Sequence, residues 1–211
     1  MNTPNLTRRL LLAGASLSVL PARAALAADL AKTPEQTEGP FYPVAFPADT
    51  DNDLVQVRGQ AAQAMGTVLH LQGRVLDSQG RPMSGAKVEI WQCDAQGLYD
   101  HPRQSGRDRR DSAFQGYGRM VVDAEGRYSF RTLKPVAYPG RTPHIHLKVA
   151  NGARVLTSQF YIAGDPRNDR DFVYRDAAHD PRQRALIEMN LQPAPGLEAG
   201  ALAASMDIVI G

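Results

Sequence analysis

The side chains in this sequence whose types and spacing could do chemistry are concentrated around residue 145. His144, Ile145 and His146 form a His-x-His motif within a run of strand-forming residues. In a β-strand, residues two apart point to the same face, so both imidazoles could reach one metal ion while Ile145 packs behind them. The same motif also occurs on strands that bind zinc, or that bind nothing. By itself, the motif predicts a shared direction for two imidazoles and leaves the presence of a metal open.

Two tyrosines occupy positions from which they could join such a site. Tyr138 lies in a loop bounded by Pro135 and Pro139 that leads into the His-x-His strand. Tyr99 follows a strand-like run through an Asp-Ala-Gln-Gly turn. Context therefore makes these two residues candidates. Packing alone is expected for four other tyrosines: Tyr42, Tyr117, Tyr128 and Tyr161.

The elements that must position these side chains follow an N-terminal segment with the features of an export signal. Arg8 and Arg9 precede an apolar run over residues 10–20, and Ala25-Leu26-Ala27 has the small-x-small form that signal peptidase accepts. We predict that residues 1–27 are a signal peptide of the twin-arginine type, with the general secretory route left open. The protein is then expected to be periplasmic or secreted, with no stable membrane insertion after cleavage.

The charge balance excludes one class of partner. Removing residues 1–27 removes three of the 24 basic residues and none of the 22 acidic ones, which leaves a formal charge of −1. Such a chain carries no electrostatic signature of nucleic-acid binding. Cys93 is the only cysteine, so no intrachain disulfide can form, and it is expected to be buried for packing.

The pattern of the remaining chain is typical of a mostly β protein. Residues 28–66 mix Pro, Gly and acids without periodicity and are predicted to form an irregular arm, whereas residues 67–211 are predicted to form a single-domain antiparallel β-sandwich. The predicted strands cover residues 67–76, 86–92, 118–122, 127–133, 144–150, 153–162 and 205–210.

Local turn signals predict how some of these strands are connected. Residues 118–133 are expected to form one hairpin around a turn at 123–126, and residues 144–162 another around Asn151-Gly152. Only residues 181–190 are expected to be helical.

Seven segments, taken in order, resemble one enzyme family. They are residues 33–42, 88–92, 97–99, 114–119, 134–139, 141–146 and 164–166. Together, over about residues 33–175, they resemble the intradiol ring-cleavage dioxygenases, notably the protocatechuate 3,4-dioxygenase branch. Seven ordered segments are a far more specific signal than a lone His-x-His motif.

The resemblance implies a metal centre and a reaction. It implies that Tyr99, Tyr138, His144 and His146 bind one Fe(III), with Tyr138 and His146 axial and Tyr99 and His144 equatorial beside a hydroxide. The implied reaction uses O2 to cut a small aromatic diol between its two hydroxyls, giving a cis,cis-muconate-type diacid. Phenolate is a hard anion that suits ferric iron, so the implied ligand set is chemically consistent.

The resemblance also implies roles for individual residues. Tyr138 would leave the metal when the catechol binds and accept a substrate proton, so it would act as a base. Arg141 would stabilise charge that develops on the ring carbon, and Gln159, which matches a pocket glutamine of the family, would be a further catalytic residue. Only Pro139 and Gly140 separate Tyr138 from Arg141. The large protocatechuate enzymes have a longer loop there, so the resemblance does not identify the catechol.

Other interpretations remain open from the sequence. Residues 73–77 and 123–130 are also typical of non-catalytic transthyretin-like binding modules, and His144 with His146 could bind zinc or copper together with an acid or Cys93. Neither explains the two tyrosines. The loop 103–111 has four arginines and two aspartates, so it is either a solvated loop or a guide for anionic substrates. Association into a homo-oligomer is possible and is not decided by the sequence.

Overall fold

A computed structural model describes residues 29–211, in which two β-sheets pack face to face. The predicted signal peptide and its cleavage site at residue 27 lie outside the described residues. Within residues 29–211, no helix has the length and apolar character of a membrane span. The strands are β1 (Val68–Leu76), β2 (Lys87–Trp91), β3 (Tyr117–Val121), β4 (Arg127–Leu133), β5 (His144–Asn151), β6 (Arg154–Ile162), β7 (Glu188–Met189), β8 (Gln192–Pro193), β9 (Leu202–Ser205) and β10 (Ile208–Val209).

The first sheet is built around β1. Strand β4 pairs with β1 in antiparallel fashion, β9 pairs with it in parallel on the opposite edge, and β8 extends the sheet beyond β9. Strand β10 pairs in parallel with the end of β1. The second sheet has the order β3-β2-β5-β6-β7, and its last pairing is also parallel. The mostly β fold is confirmed, and both sheets are mixed because short C-terminal strands join them in parallel.

One predicted hairpin is confirmed and the other is wrong. Strands β5 and β6 form the expected antiparallel hairpin, and Gly152 supplies the positive φ of +60° that its two-residue turn requires. Strands β3 and β4, in contrast, belong to different sheets, because β3 pairs with β2 and β4 pairs with β1. The turn at 123–126 therefore carries the chain from one sheet to the other. A turn signal shows that the chain reverses and does not show which strand each arm will pair with.

The helix prediction for residues 181–190 is correct only at its start. Helix α2 (Pro181–Arg184) begins after the N-cap Asp180 and ends after one turn, and the chain then enters β7. Burial of Ile187 and Met189 beside β6 takes precedence over continuing the helix. A second helix, α1 (Phe172–Ala177), was not predicted. Its N-cap is Asp171, which accepts hydrogen bonds from the backbone of Val173 and Tyr174.

The second sheet has an inner and an outer face. The inner face carries Ile145 and Leu147, which are fully buried against the first sheet. The outer face carries the alternate residues, among them His144 and His146. The inner face contributes to the core, and the outer face carries the candidate functional side chains His144 and His146.

Residues 29–66 form no helix or long strand. Their part around Gly39 and Phe41 covers the outer face of the second sheet, whereas Leu54 and Val55 belong to the core between the sheets. The backbone amide of Thr33 donates to Val209 of the first sheet, and that of Gln36 donates to Thr157 on β6. Farther along, Phe41 lies against the ring of Tyr99. This part of the chain therefore crosses from one sheet to the other before it reaches the candidate site. The division into an arm and a sandwich at residue 66 stays a prediction.

Candidate metal centre

The His-x-His pair lies on β5, the central strand of the second sheet. Both imidazoles are almost completely buried, and their Nε2 atoms are 3.1 Å apart. Nδ1 of His144 lies 2.7 Å from the carbonyl oxygen of Thr142. Because a carbonyl can only accept, Nδ1 carries the proton and the Nε2 lone pair of His144 faces His146. A carbonyl that orients an imidazole in this way is typical of metal-binding histidines.

Both imidazoles are held in the neutral form. Burial, with the nearby charge of Arg141, lowers the pKa of His144 to about 3. Burial also lowers the pKa of His146 well below its ordinary value, and His144 and Arg141 add to the effect. A metal-binding imidazole must be neutral, so the environment is suited to ligation.

The two candidate tyrosines converge on this pair from different loops. The ring centroid of Tyr138 is 5.4 Å from that of His144, the ring centroid of Tyr99 is 6.2 Å from that of His146, and the two tyrosine rings are 5.7 Å apart. Tyr138 is partly exposed and sits at a tight turn, in which the amide of Arg141 donates to its carbonyl. Tyr99 is buried. The structure thus brings all four predicted ligand side chains to one place.

The donor set and its burial fit a ferric ion. The hydroxyl of Tyr99 is buried and has no hydrogen-bond partner among the described residues, an arrangement that costs about 1–3 kcal/mol if nothing else satisfies it. Burial raises the pKa of both Tyr99 and Tyr138, so without a cation both phenols stay protonated at neutral pH. Two imidazole nitrogens and two phenol oxygens form a hard, potentially dianionic set that suits Fe(III).

A buried ion-pair network holds Arg141 beside the four candidate ligands. Nε of Arg141 donates to Asp171 at 2.8 Å, and Nη2 donates to the side-chain oxygen of Gln159 at 2.6 Å. Burial by itself would lower the pKa of Arg141, but the hydrogen bond and charge of Asp171 outweigh it and raise the pKa. Burial would likewise raise the pKa of Asp171, and its hydrogen bonds from Thr142 and Arg141 lower it instead. Both groups therefore stay charged.

Gln159 supports Arg141 and does not face open space. Its side chain is fully buried, its amide nitrogen donates to the carbonyl of Thr37, and its oxygen accepts from Arg141 and from the Tyr161 hydroxyl. Its predicted catalytic role is untested. The contacts describe a residue that positions Arg141.

Several supporting residues were not singled out from the sequence. The indole of Trp91 stacks on His146 with centroids 4.8 Å apart, and Phe41 stacks on Tyr99 at 4.5 Å. Gly39 has a φ of +72°, and a Cβ there would lie 3.3 Å from Cε1 of His146. Asp171 could have been found as a helix N-cap, because an Asp before a short apolar run is a start signal. The aromatic contacts have no such local signal.

Cys93 and the loop 103–111 lie near the centre without joining it. Burial raises the pKa of the Cys93 thiol to about 12, so without a cation it stays protonated at neutral pH. The expectation that Cys93 is buried is confirmed. In the loop, Arg107 and Arg110 both pair with Asp100, so much of its positive charge is neutralised. Among residues 29–211, no three His, Cys, Asp or Glu side chains are grouped to hold a metal.

Comparison with known proteins shows which family this chain belongs to. A protein-family model described as dioxygenase matches residues 37–210. The chain is 34% identical to the protocatechuate 3,4-dioxygenase beta chain of Burkholderia cepacia over 181 residues, covering 81% of this chain and 76% of that protein. It is 32% identical to catechol 1,2-dioxygenase of Acinetobacter baylyi, covering 67% of this chain and 50% of that protein. The chain thus spans about half the length of the catechol 1,2-dioxygenases it matches.

A solved structure is similar to this chain in both fold and sequence. It is the dioxygenase domain of a dioxygenase carbohydrate-binding protein fusion from Streptomyces sp. SirexAA-E, with a TM-score of 0.65 and 30% identity over 85% of this chain and 97% of that chain. The match is to an enzyme domain, and the interpretation as a non-catalytic binding module is therefore wrong. The protein belongs to the intradiol ring-cleavage dioxygenase family, whose members are oxidoreductases.

Proposed function

We propose that this protein is a non-haem Fe(III)-dependent dioxygenase that cleaves a catechol-type ring between its two hydroxyls with O2 and releases a cis,cis-muconate-type diacid. The observation that carries the proposal is the convergence of Tyr99, Tyr138, His144 and His146 beside a buried arginine. Relatives named for protocatechuate, catechol and hydroxyquinol all fit a substrate with adjacent hydroxyls.

The four side chains would hold the iron through two Nε2 atoms and two phenol oxygens. Fe(III), when bound, supplies the positive charge that ionises the phenols and the redox chemistry that lets a bound catechol react with O2. The two phenolates offset two of the three charges, so the centre tolerates its buried environment.

Tyr138 and Tyr99 are placed for different roles. Tyr138 is the more exposed of the two and belongs to a short surface turn, so its side chain can move when a substrate arrives. Its phenolate oxygen would take one of the two protons that the catechol must lose. Tyr99 is buried and stacked beneath Phe41, which restrains it. We assign Tyr138 as the base and Tyr99 as the permanent ligand.

Arg141 is oriented to stabilise negative charge on the substrate ring. Two of its nitrogens are held by Asp171 and Gln159, so the guanidinium keeps one position and needs little reorganisation during reaction. Trp91 and Phe41 complete the wall of the centre and keep water from its buried side.

We propose that the protein works outside the cytoplasm after loss of residues 1–27. The support is the order of the twin arginine, the apolar run and Ala25-Leu26-Ala27. N-terminal sequencing of protein from the periplasmic fraction should begin at or near Ala28. Recovery of only intact Met1 from the soluble cytoplasm would refute this localisation.

Iron content, colour and oxygen uptake test the reaction directly. Purified protein should contain about one iron per chain, show a red colour from phenolate-to-iron charge transfer, and consume O2 when given a catechol. Mass spectrometry with isotopically labelled O2 should place both labelled atoms in a diacid. Removal of iron by a chelator should abolish turnover, and Fe(III) should restore it. A colourless protein with bound zinc, or cleavage outside the diol, would contradict the proposal.

A further inference from the structure

An open cavity of about 270 Å³ adjoins the candidate metal centre on the side of Tyr138. We call its charged part the arginine rim, defined as Arg141, Arg167 and Arg170. Tyr138, Gly140 and Asp171 also line the cavity. Its volume is near the lower end of small-molecule sites, roughly 300–1,000 Å³. Tyr138 and Arg141 belong both to this cavity and to the candidate centre, so a substrate that reaches these two residues also lies at the cavity.

The arginine rim has an excess of positive charge. The carboxylate of Asp171 is engaged by Arg141 at 2.8 Å, and Arg167 lies 3.2 Å from Asp165. Arg170 forms no ion pair with any residue of the described part of the chain. Each of the first two arginines thus has an acidic partner, and the guanidinium of Arg170 is available to a ligand.

The cavity also has room for a substituent on the ring. Gly140 has a φ of +83°, and a Cβ placed on it would meet no atom within 4 Å. Only Pro139 and Gly140 connect Tyr138 to Arg141, so no bulky side chain of this turn fills the opening. The open space beside Gly140 and the positive charge of the arginine rim therefore belong to the same cavity.

We propose, on the basis of the function proposed above, that the arginine rim selects catechols that carry an anionic substituent on the ring. Arg170 is the specificity-determining residue and Arg167 assists it. A guanidinium presents paired N–H donors whose spacing matches a carboxylate, so the contact gives direction as well as charge. The other arginine-rich loop, at 103–111, is a weaker candidate because Asp100 already pairs with Arg107 and Arg110.

Three catechols of similar size and different charge test the proposal. 3,4-Dihydroxyphenylacetate is anionic, 4-ethylcatechol is neutral and dopamine is cationic at neutral pH. Oxygen uptake by iron-loaded protein should give kcat/KM values that fall in that order. Arg170→Gln should lower the ratio of kcat/KM for the anionic substrate to kcat/KM for the neutral substrate by about tenfold. The double variant that also carries Arg167→Gln should lower this ratio further. Added salt should also reduce the ratio.

Arg154→Gln is the matched control. Arg154 pairs with Asn151 at the far end of the β5–β6 hairpin, whereas His144 pairs with Tyr161 at the near end. The control removes one positive charge at a position far from the cavity. The ratio of kcat/KM for the anionic and neutral substrates should therefore not change.

The outcomes separate this inference from the proposed function. If the wild-type protein cleaves 4-ethylcatechol and shows no preference for the anionic compound, the inference fails and the proposed function stands. If Arg170→Gln leaves the ratio of the two kcat/KM values unchanged, or if Arg154→Gln lowers it equally, the anionic substituent does not contact the arginine rim and the inference fails. If iron-loaded protein cleaves none of the three, the proposed function fails first.

Discussion

Around the His-x-His motif, both faces of the second sheet are buried, but different kinds of side chain are buried on each. On the inner face, Ile145 and Leu147 contact apolar side chains of the first sheet. On the outer face, His144 and His146 are covered by aromatic side chains and by the arm at residues 29–66. All four residues belong to one strand and alternate along it.

The comparison shows that a single strand can serve stability and chemistry separately. Side chains on the inner face gain free energy by leaving water, which is the usual source of a folded core. Polar side chains on the outer face lose hydration and need a ligand or hydrogen-bond partner in return. Changes on the inner face should therefore affect the free energy of unfolding, and changes on the outer face should affect metal content and activity.

Among substitutions at the candidate centre on the outer face, the largest expected effect is loss of catalysis. Tyr138→Phe should lower kcat by roughly 10²- to 10⁴-fold, because it removes a positioned base, and it should shift the visible band while keeping part of the iron. Tyr99→Phe should lose iron more severely, because it removes a permanent anionic ligand. His146→Ala should also lose iron. Iron content, absorbance and oxygen uptake on the purified variants measure this.

Both tyrosine variants keep the aromatic ring, so unfolding curves should confirm that they remain folded. If both keep full activity and unchanged colour, the ferric site is refuted.

For a substitution on the inner face, the largest expected effect is a loss of folding stability. Leu147→Ala should lower the free energy of unfolding by about 2–5 kcal/mol, because it opens a cavity in a fully buried position. Its iron content per folded chain and its visible spectrum should match those of the wild type. Denaturant unfolding and absorbance measure the two quantities. A large change in colour with little loss of stability would show that the two faces are not separable.

A smaller effect is expected from the carboxylate that orients Arg141. Asp171→Asn should lower kcat by roughly 10- to 100-fold, the size typical of removing a group that holds a functional side chain in place. Asn still caps a helix well, so stability should change little. Asp180→Asn is the control, because Asp180 caps α2 in the same way and does not contact Arg141. Equal losses in both variants would show that the effect comes from the caps.

The smallest effect is expected from the aromatic cover of Tyr99. Phe41→Leu removes a stacked pair that contributes about 0.5–1.5 kcal/mol, so iron should dissociate faster and the visible band should shift slightly. Phe46→Leu is its control, since Phe46 lies on the same arm and contacts Tyr117 instead. Chelator-driven loss of iron, followed by absorbance, compares the two. Identical rates would mean that Phe41 does not restrain the ligand.

Local patterns in the sequence predicted what depends on neighbours along the chain. The β5–β6 hairpin follows from Asn151-Gly152, and the common direction of His144 and His146 follows from strand alternation. The partners of β3 and β4 were mispredicted, because pairing depends on distant strands. The six-residue helix α1 was missed, because helices this short depend on tertiary contacts.

The sequence by itself determined the set of chemically capable side chains, the alternation along β5 and, through ordered resemblance, the family. Only the tertiary structure decided that Asp171 holds Arg141 from 30 positions away. It also showed that Phe41 contacts Tyr99 and that Gly39 lies against His146, two of the proposed metal ligands. These contacts join segments far apart in the chain. Their formation depends on how the sheets, the arm and α1 pack together, which no local pattern of residues encodes.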